Sequence, residues 1–138
     1  SAADAQHLAA EFLIRLTKNV KRKSYPVIPL ALDTSTLTAC GNDIGFEQIF
    51  SRTLEGIGNK GDSLIVISTS GNSKNVINAA KYCKHNDVKI VSLTGFDGGF
   101  LKDNSDLNIN IPINCTQRVQ EMHIFVGHII CDIIEKDL

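Results

Sequence analysis

The apolar run Leu64 to Ile67 opens directly onto Ser68-Thr69-Ser70-Gly71-Asn72-Ser73, and a helical pattern follows at once, through Lys84. A continuous apolar run without polar alternation suits a strand covered on both faces, the environment of a parallel sheet. Val88 to Leu93 is a second run of this kind, and Leu107 to Ile111, closed by Pro112, is a third. Strands that alternate with helices leave few options: an α/β fold with a mostly parallel sheet and right-handed crossovers. In such sheets ligands bind outside the carboxyl ends of the strands. The hydroxyl-rich stretch lies at such an end.

The rest of the chain fits around that sheet. Ala3, Leu8, Ala9, Phe12, Leu13 and Leu16 recur at helical spacing and predict a helix over Ala2 to Thr17. Val27 to Leu32 reads as a strand. Asp33 or Thr34 caps a short helix through Ala39, Gly41-Asn42-Asp43 reads as a turn, and Phe46 to Ile57 reads as a helix ended by Gly58. Asn72 or Ser73 is the expected N-cap of the helix after the first buried strand. The final helix, about Gln117 to Lys136, is apolar nearly all round between Ile124 and Ile134, so it calls for cover on more than one side, as at a subunit interface.

With 138 residues the chain suits a single domain, and 14 basic against 15 acidic side chains give no excess charge for a polyanion or an anionic membrane. Nucleic acid and membrane are therefore not expected partners. The long C-terminal apolar stretch is interrupted by Glu121, His123, His128 and Asp132 and falls short of the roughly 20 apolar residues of a membrane span. Cys40, Cys83, Cys115 and Cys131 form no C-x-x-C pair, which fits reduced thiols and a cytoplasmic location. The chain opens on "SAADAQHLAAEFLIRL", already helix interior, so material before Ser1 is expected.

Three clusters carry chemistry. At Ser68 to Ser73, a strand end, a Gly-containing loop and a helix N-terminus point backbone N–H groups outward under a positive dipole. Ser68, Thr69, Ser70 and Ser73 add uncharged donors, and one N-cap explains only one of the small polar residues. A phosphate cradle accounts for the surplus. Neither a Walker loop nor a G-x-G-x-x-G is present, so no nucleotide is indicated. His7 and Glu11, four apart, share a helical face and can hold a metal or act as an acid–base pair, although an ordinary exposed pair looks the same in sequence. In "QRVQEMHIFVGH", Gln120, Glu121, His123 and His128 interrupt an apolar helix. His128, among Val126, Ile129 and Ile130, fits a hydrogen-bonded core histidine as well as a functional one. Gln120 and His128 are about 12 Å apart along the axis and meet on one ligand only by leaning together or through a bend near Gly127.

Taken jointly, "SAADAQHLAAEF", "GNDxGFxxxFSR", "GDxLxxISTSGNSxNVxxA", "LTGxDGG" and "RVQEMHxxxxH" resemble the sugar isomerase (SIS) domain family, and within it the phosphoheptose (sedoheptulose 7-phosphate) isomerases. The likeness runs over essentially the whole chain. It implies a three-layer α/β/α sandwich, flavodoxin-like, spanning 1–138 as a single SIS domain that lacks its N-terminal helix and first strand. It also implies a cytoplasmic homotetramer with active sites between subunits, converting sedoheptulose 7-phosphate to D-glycero-D-manno-heptose 7-phosphate for lipopolysaccharide or capsule.

Matching motif by motif, the resemblance implies that Ser68, Thr69, Ser70 and Ser73 hold the substrate phosphate. Asn42, Asp43, Gln120 and Ser1, the last next to a substrate loop, would contact the sugar. Glu11 and His128 would be the acid–base pair, with Glu11 also touching substrate, and His7, Glu11, Gln120 and His128 would be the ligands where zinc is bound. Gln117 stands where the family is expected to have Asp. Non-catalytic members, a tetramer that regulates replication initiation and a sugar-phosphate-sensing module, share the fold. Ser70 and His128 separate this chain from the first of these, and Glu11 with His128 from the second.

Overall fold

The structure is a computed structural model and describes residues 1–137. Three parallel strands, β1 (Ser63–Ser68), β2 (Lys89–Gly95) and β3 (Leu107–Ile111), lie in the order β1-β2-β3. Pairing is in continuous register: Leu64 with Ile90, Ile67 with Leu93, Ser68 with Thr94, and Leu93 in turn with Ile109. Helices α1 (Ala2–Leu13), α2 (Thr34–Asp43), α3 (Ile49–Ile57), α4 (Lys74–His85), α5 (Gly99–Lys102) and α6 (Thr116–Asp137) surround the sheet.

Strand alternation divides the core in two. Val66 and Ile90 pack with Leu54 of α3, Ala79, Ala80 and Cys83 of α4, and Leu101 of α5. Ile67 points the other way, toward Leu8 and Phe12 of α1 and Cys131, Ile130 and Ile134 of α6. Successive side chains on a strand face opposite sides, so two separate clusters on one sheet make a three-layer α/β/α sandwich, as expected. The hydroxyl-rich loop follows the last residue of β1 and leads into α4.

Several local expectations need correcting. The run 27–32 is not a strand. Pro29, inside it, removes a donor and fixes φ, which a paired strand tolerates poorly. Instead Val27 and Leu30 each lean onto one of the two core clusters, while Ile28 and Leu32 are left exposed. The first helix stops at Leu13 rather than Thr17. Gly41-Asn42-Asp43 is the last turn of α2, and the chain reverses at Gly45, whose φ of 132° suits glycine. Asp33 caps α2 through the amides of Ser35 and Thr36. Strand β1 is not covered on both faces throughout, since Ile65 is 37% exposed. Asn72 does not cap α4 but accepts from the amide of Phe100 at 2.9 Å, joining the loop to the start of α5.

Candidate active site

Helices α1 and α6 meet where Leu8 of α1 lies over Gly127 of α6. A Cβ at Gly127 would fall 2.6 Å from Leu8 Cδ1, so only glycine lets Leu8, itself buried, sit directly on α6. Gly127 therefore acts by close approach. The neighbours of this contact, His7 and His128, are brought face to edge, ring centroids 5.1 Å apart, with Nε2 to Nε2 at 2.9 Å. That contact requires one ring to donate and the other to accept. Glu11 Oε1 lies 3.3 Å from His7 Nε2, and the ligand atoms of His7, Glu11 and His128 all fall within 4.8 Å of one another. His7 is exposed, and Glu11 and His128 are half-buried.

The second locus is the loop after β1. Ser68 is buried, Thr69 half-buried, Ser70 and Ser73 exposed. Gly71 has φ 64°, and a Cβ there would stand 2.0 Å from the Gly98 carbonyl oxygen. The two loops after β1 and β2 thus lie backbone against backbone. They are sewn together by Gly95 N–H to the Thr69 carbonyl (2.9 Å), Leu101 N–H to the Gly71 carbonyl (3.2 Å) and the Asn72 side chain. Ser73 is the N-cap of α4 without a side-chain capping bond, which leaves its hydroxyl for another partner. Exposed hydroxyls over a helix N-terminus, on a loop held rigid from below, can accept a phosphate.

The remaining sequence-derived residues lie elsewhere. Asn42 and Asp43 are exposed at the end of α2 and bond to one another at 2.6 Å. Gln120 is exposed on α6, more than two turns before His128. Ser1 is the N-cap of α1, its amino group 3.7 Å from Asp4. The core histidine of α6 is His123, not His128. His123 is 1% exposed and donates Nε2–H to the Thr94 carbonyl at 3.0 Å. Burial lowers its pKa, against the opposing pull of the Thr94 bond and Asp4. The i, i+5 spacing of two histidines places them on different faces of one helix, which is the signal that could have separated them.

Sequence reasoning also missed Arg22 and Glu135. Glu135 accepts from the amides of Leu16 (3.1 Å) and Thr17 (2.8 Å) and from Arg22 Nε (2.9 Å). Burial pushes its pKa up, but the Thr17 amide, the Arg22 guanidinium and the Leu16 amide outweigh that and hold it below the ordinary carboxylate value. The two partners stand 113 positions apart, beyond any local pattern.

Comparison with known proteins places this arrangement. Residues 1–95 match the SIS domain family model, and the chain belongs to that family. A phosphoheptose isomerase of Nitratiruptor sp. is 52% identical over 99% of this chain and 72% of its own length. One from Sulfurimonas denitrificans is 52% identical over 100% and 70%. The solved phosphoheptose isomerase of Francisella tularensis superposes with a TM-score of 0.91 at 35% identity, over 98% of this chain and 71% of that one. That of Neisseria gonorrhoeae gives 0.86 at 44%, over 96% and 70%. Within the SIS family the chain falls among the phosphoheptose isomerases, which are aldose–ketose isomerases.

Proposed function

We propose that this chain isomerises sedoheptulose 7-phosphate to D-glycero-D-manno-heptose 7-phosphate, supplying heptose for lipopolysaccharide or capsule. The observation that carries this is the convergence of His7, Glu11 and His128, from helices at opposite ends of the chain, in a protein half identical to phosphoheptose isomerases. Ketose-to-aldose conversion moves a proton between adjacent carbons through an enediol. A base takes the proton from one carbon and returns it to the next, while a second group protonates the carbonyl oxygen and deprotonates the neighbouring hydroxyl. A carboxylate and an imidazole in one cluster, Glu11 and His128, supply both functions. Ser68, Thr69, Ser70 and Ser73 hold the phosphate, so that binding energy remote from the reacting carbons fixes them in place. Asn42, Asp43, Gln120 and Ser1 contact the sugar.

The donor set suits zinc. Ligands at about 2.1 Å in a tetrahedron stand about 3.4 Å apart, close to the His7–Glu11 and His7–His128 separations of 3.3 and 2.9 Å. His7, Glu11 and His128 would hold the ion, with Gln120 as a fourth ligand. A bound zinc would supply Lewis acidity at the substrate carbonyl.

We read 1–138 as one SIS domain and the protein as a homotetramer with sites between subunits. Met122, Phe125, Ile129 and Ile133 form an exposed apolar line along α6. Four free cysteines and the absence, among the described residues, of a helix able to cross a membrane accord with a cytoplasmic enzyme. The test is direct: incubation with sedoheptulose 7-phosphate yields the aldose, and His128→Ala abolishes turnover. No product from the unmutated protein refutes the assignment.

A further inference from the structure

We propose that Arg22 and Glu135 are positioning residues for the isomerisation, forming a clamp that fixes Glu11 on α1 against His128 on α6. The proposal rests on the function set out above.

The segment 18–23 carries four basic residues, and three of them, Lys18, Lys21 and Lys23, are exposed. Arg22 is turned inward, its side chain 7% exposed, and Glu135 beneath it is 2% exposed. Burying a guanidinium and a carboxylate needs a reason, because desolvation offsets most of their attraction. The hydrogen bonds supply one. Arg22 Nη2–H donates to the Glu11 carbonyl at 2.7 Å and Nη1–H to the Phe12 carbonyl at 2.8 Å. These are orphan acceptors at the end of α1, which the helix cannot satisfy itself. A positive group at a helix C-terminus is also favoured by the dipole. The Tyr25 ring stacks on the guanidinium, 4.3 Å away.

Glu135 completes the device. It grips Arg22 with Oε1 and takes the amides of Leu16 and Thr17, the third and fourth residues past the helix. On α6, Glu135 stands seven residues after His128, two turns along the same face. The backbone of Glu11 is thus bonded to a guanidinium that is bonded to the helix carrying His128. Leu8 on Gly127 pins the same two helices on the other side of the cluster. One contact alone would leave α1 free to roll or slide on α6. Two contacts that bracket Glu11 and His128 fix both movements.

Arg22→Lys retains the charge and loses the planar fork that reaches two carbonyls at once. Glu135→Gln retains the shape and loses the charge on the gripping oxygen. The expected result with sedoheptulose 7-phosphate is a fall in kcat of at least about tenfold, approaching the order of 10²-fold for an ångström of misplacement, with KM within about twofold. Amide hydrogen exchange at Leu16 and Thr17 of the Gln variant should quicken together with the last turn of α1. Kinetics are read well below each variant's thermal midpoint, so that a purely structural role would lower the midpoint and leave kcat of the folded enzyme intact. Unchanged exchange overturns the clamp, whatever the turnover. Faster exchange with unchanged kcat overturns the positioning role. Absence of turnover in the unmutated protein overturns the isomerase assignment instead, and the clamp is then decided by exchange alone.

Discussion

The hydroxyl loop and the His7–Glu11–His128 cluster are built in opposite ways. The loop is local: its donors fall within six consecutive positions around one glycine and one strand end, with the loop after β2 as their support. The cluster is remote: His7 and His128 are 121 positions apart and meet because α1 docks on α6, with Leu8 over Gly127 and the Arg22–Glu135 pair joining the two helices. A local site tolerates disturbance elsewhere in the fold. A remote one depends on every contact that docks its two helices. The division matches the chemistry, since a phosphate anchor needs only donors in the right place, while proton transfer needs atoms at hydrogen-bond distance.

The sharpest break in this comparison is at Glu11. Glu11→Gln preserves shape and removes the base, so kcat should fall about 10²- to 10⁴-fold while KM changes little. Steady-state kinetics on the folded variant measure this, and near-normal kcat would place the base elsewhere.

The next effect comes from docking without chemistry. Gly127→Ala puts a methyl against the buried Leu8 side chain, which must shift, and overpacking of this kind destabilises by about 1–3 kcal/mol. Because the clash lies beside His128, kcat should drop more than the stability loss explains, by up to the order of 10²-fold. A urea midpoint measured with kcat separates the two. Unchanged kcat in the alanine variant would mean that the helix contact does not set the cluster.

The same contrast governs what the sequence discloses. Strands β1, β2 and β3 and helices α4 and α6 were legible because burial leaves apolar runs or helical spacing over several consecutive residues. The hydroxyl loop was legible because its excess over capping needs is visible in six letters. His7 with Glu11 was visible as a pair, but nothing local separates such a pair from an exposed one. The roles of Gly127, Arg22 and Glu135 were not legible, because each is defined by a partner on another element. His128 was left open between a core and a functional histidine, and His123 had no role, because sequence shows an apolar helix but not which of its sides meets the sheet. Pro29, inside the run 27–32, was the signal against a strand there.

On the loop side the effects should be smaller. Ser70→Ala and Ser73→Ala each remove one exposed hydroxyl, worth about 1 kcal/mol per bond to an anion or somewhat more. KM should rise roughly 5- to 10-fold per substitution, with kcat nearly constant. Inorganic phosphate as a competitive inhibitor should weaken in parallel. A kcat effect larger than the KM effect would mean the loop shapes the reacting end as well as the tail.

The smallest effect concerns the link between the two regions. His123 fastens α6 to the Thr94 carbonyl, and the next residue, Gly95, donates its N–H to Thr69 of the hydroxyl loop. The helix that carries His128 is therefore tied to the end of the sheet that carries the anchor. Burial lowers the pKa of His123 from its ordinary value of 6.5, so the unfolded chain binds the proton more tightly than the folded protein does. Its stabilising contribution is then complete above about pH 6.5 and lost as pH falls through the lower folded value. Glu135, also depressed, acts in a separate window below its ordinary 4.5. Denaturation midpoints should decline between pH 7 and 5, and His123→Gln, which can keep a donor toward Thr94 but does not titrate, should flatten that decline. An identical slope in the variant would show that the link between helix and sheet does not sense protons.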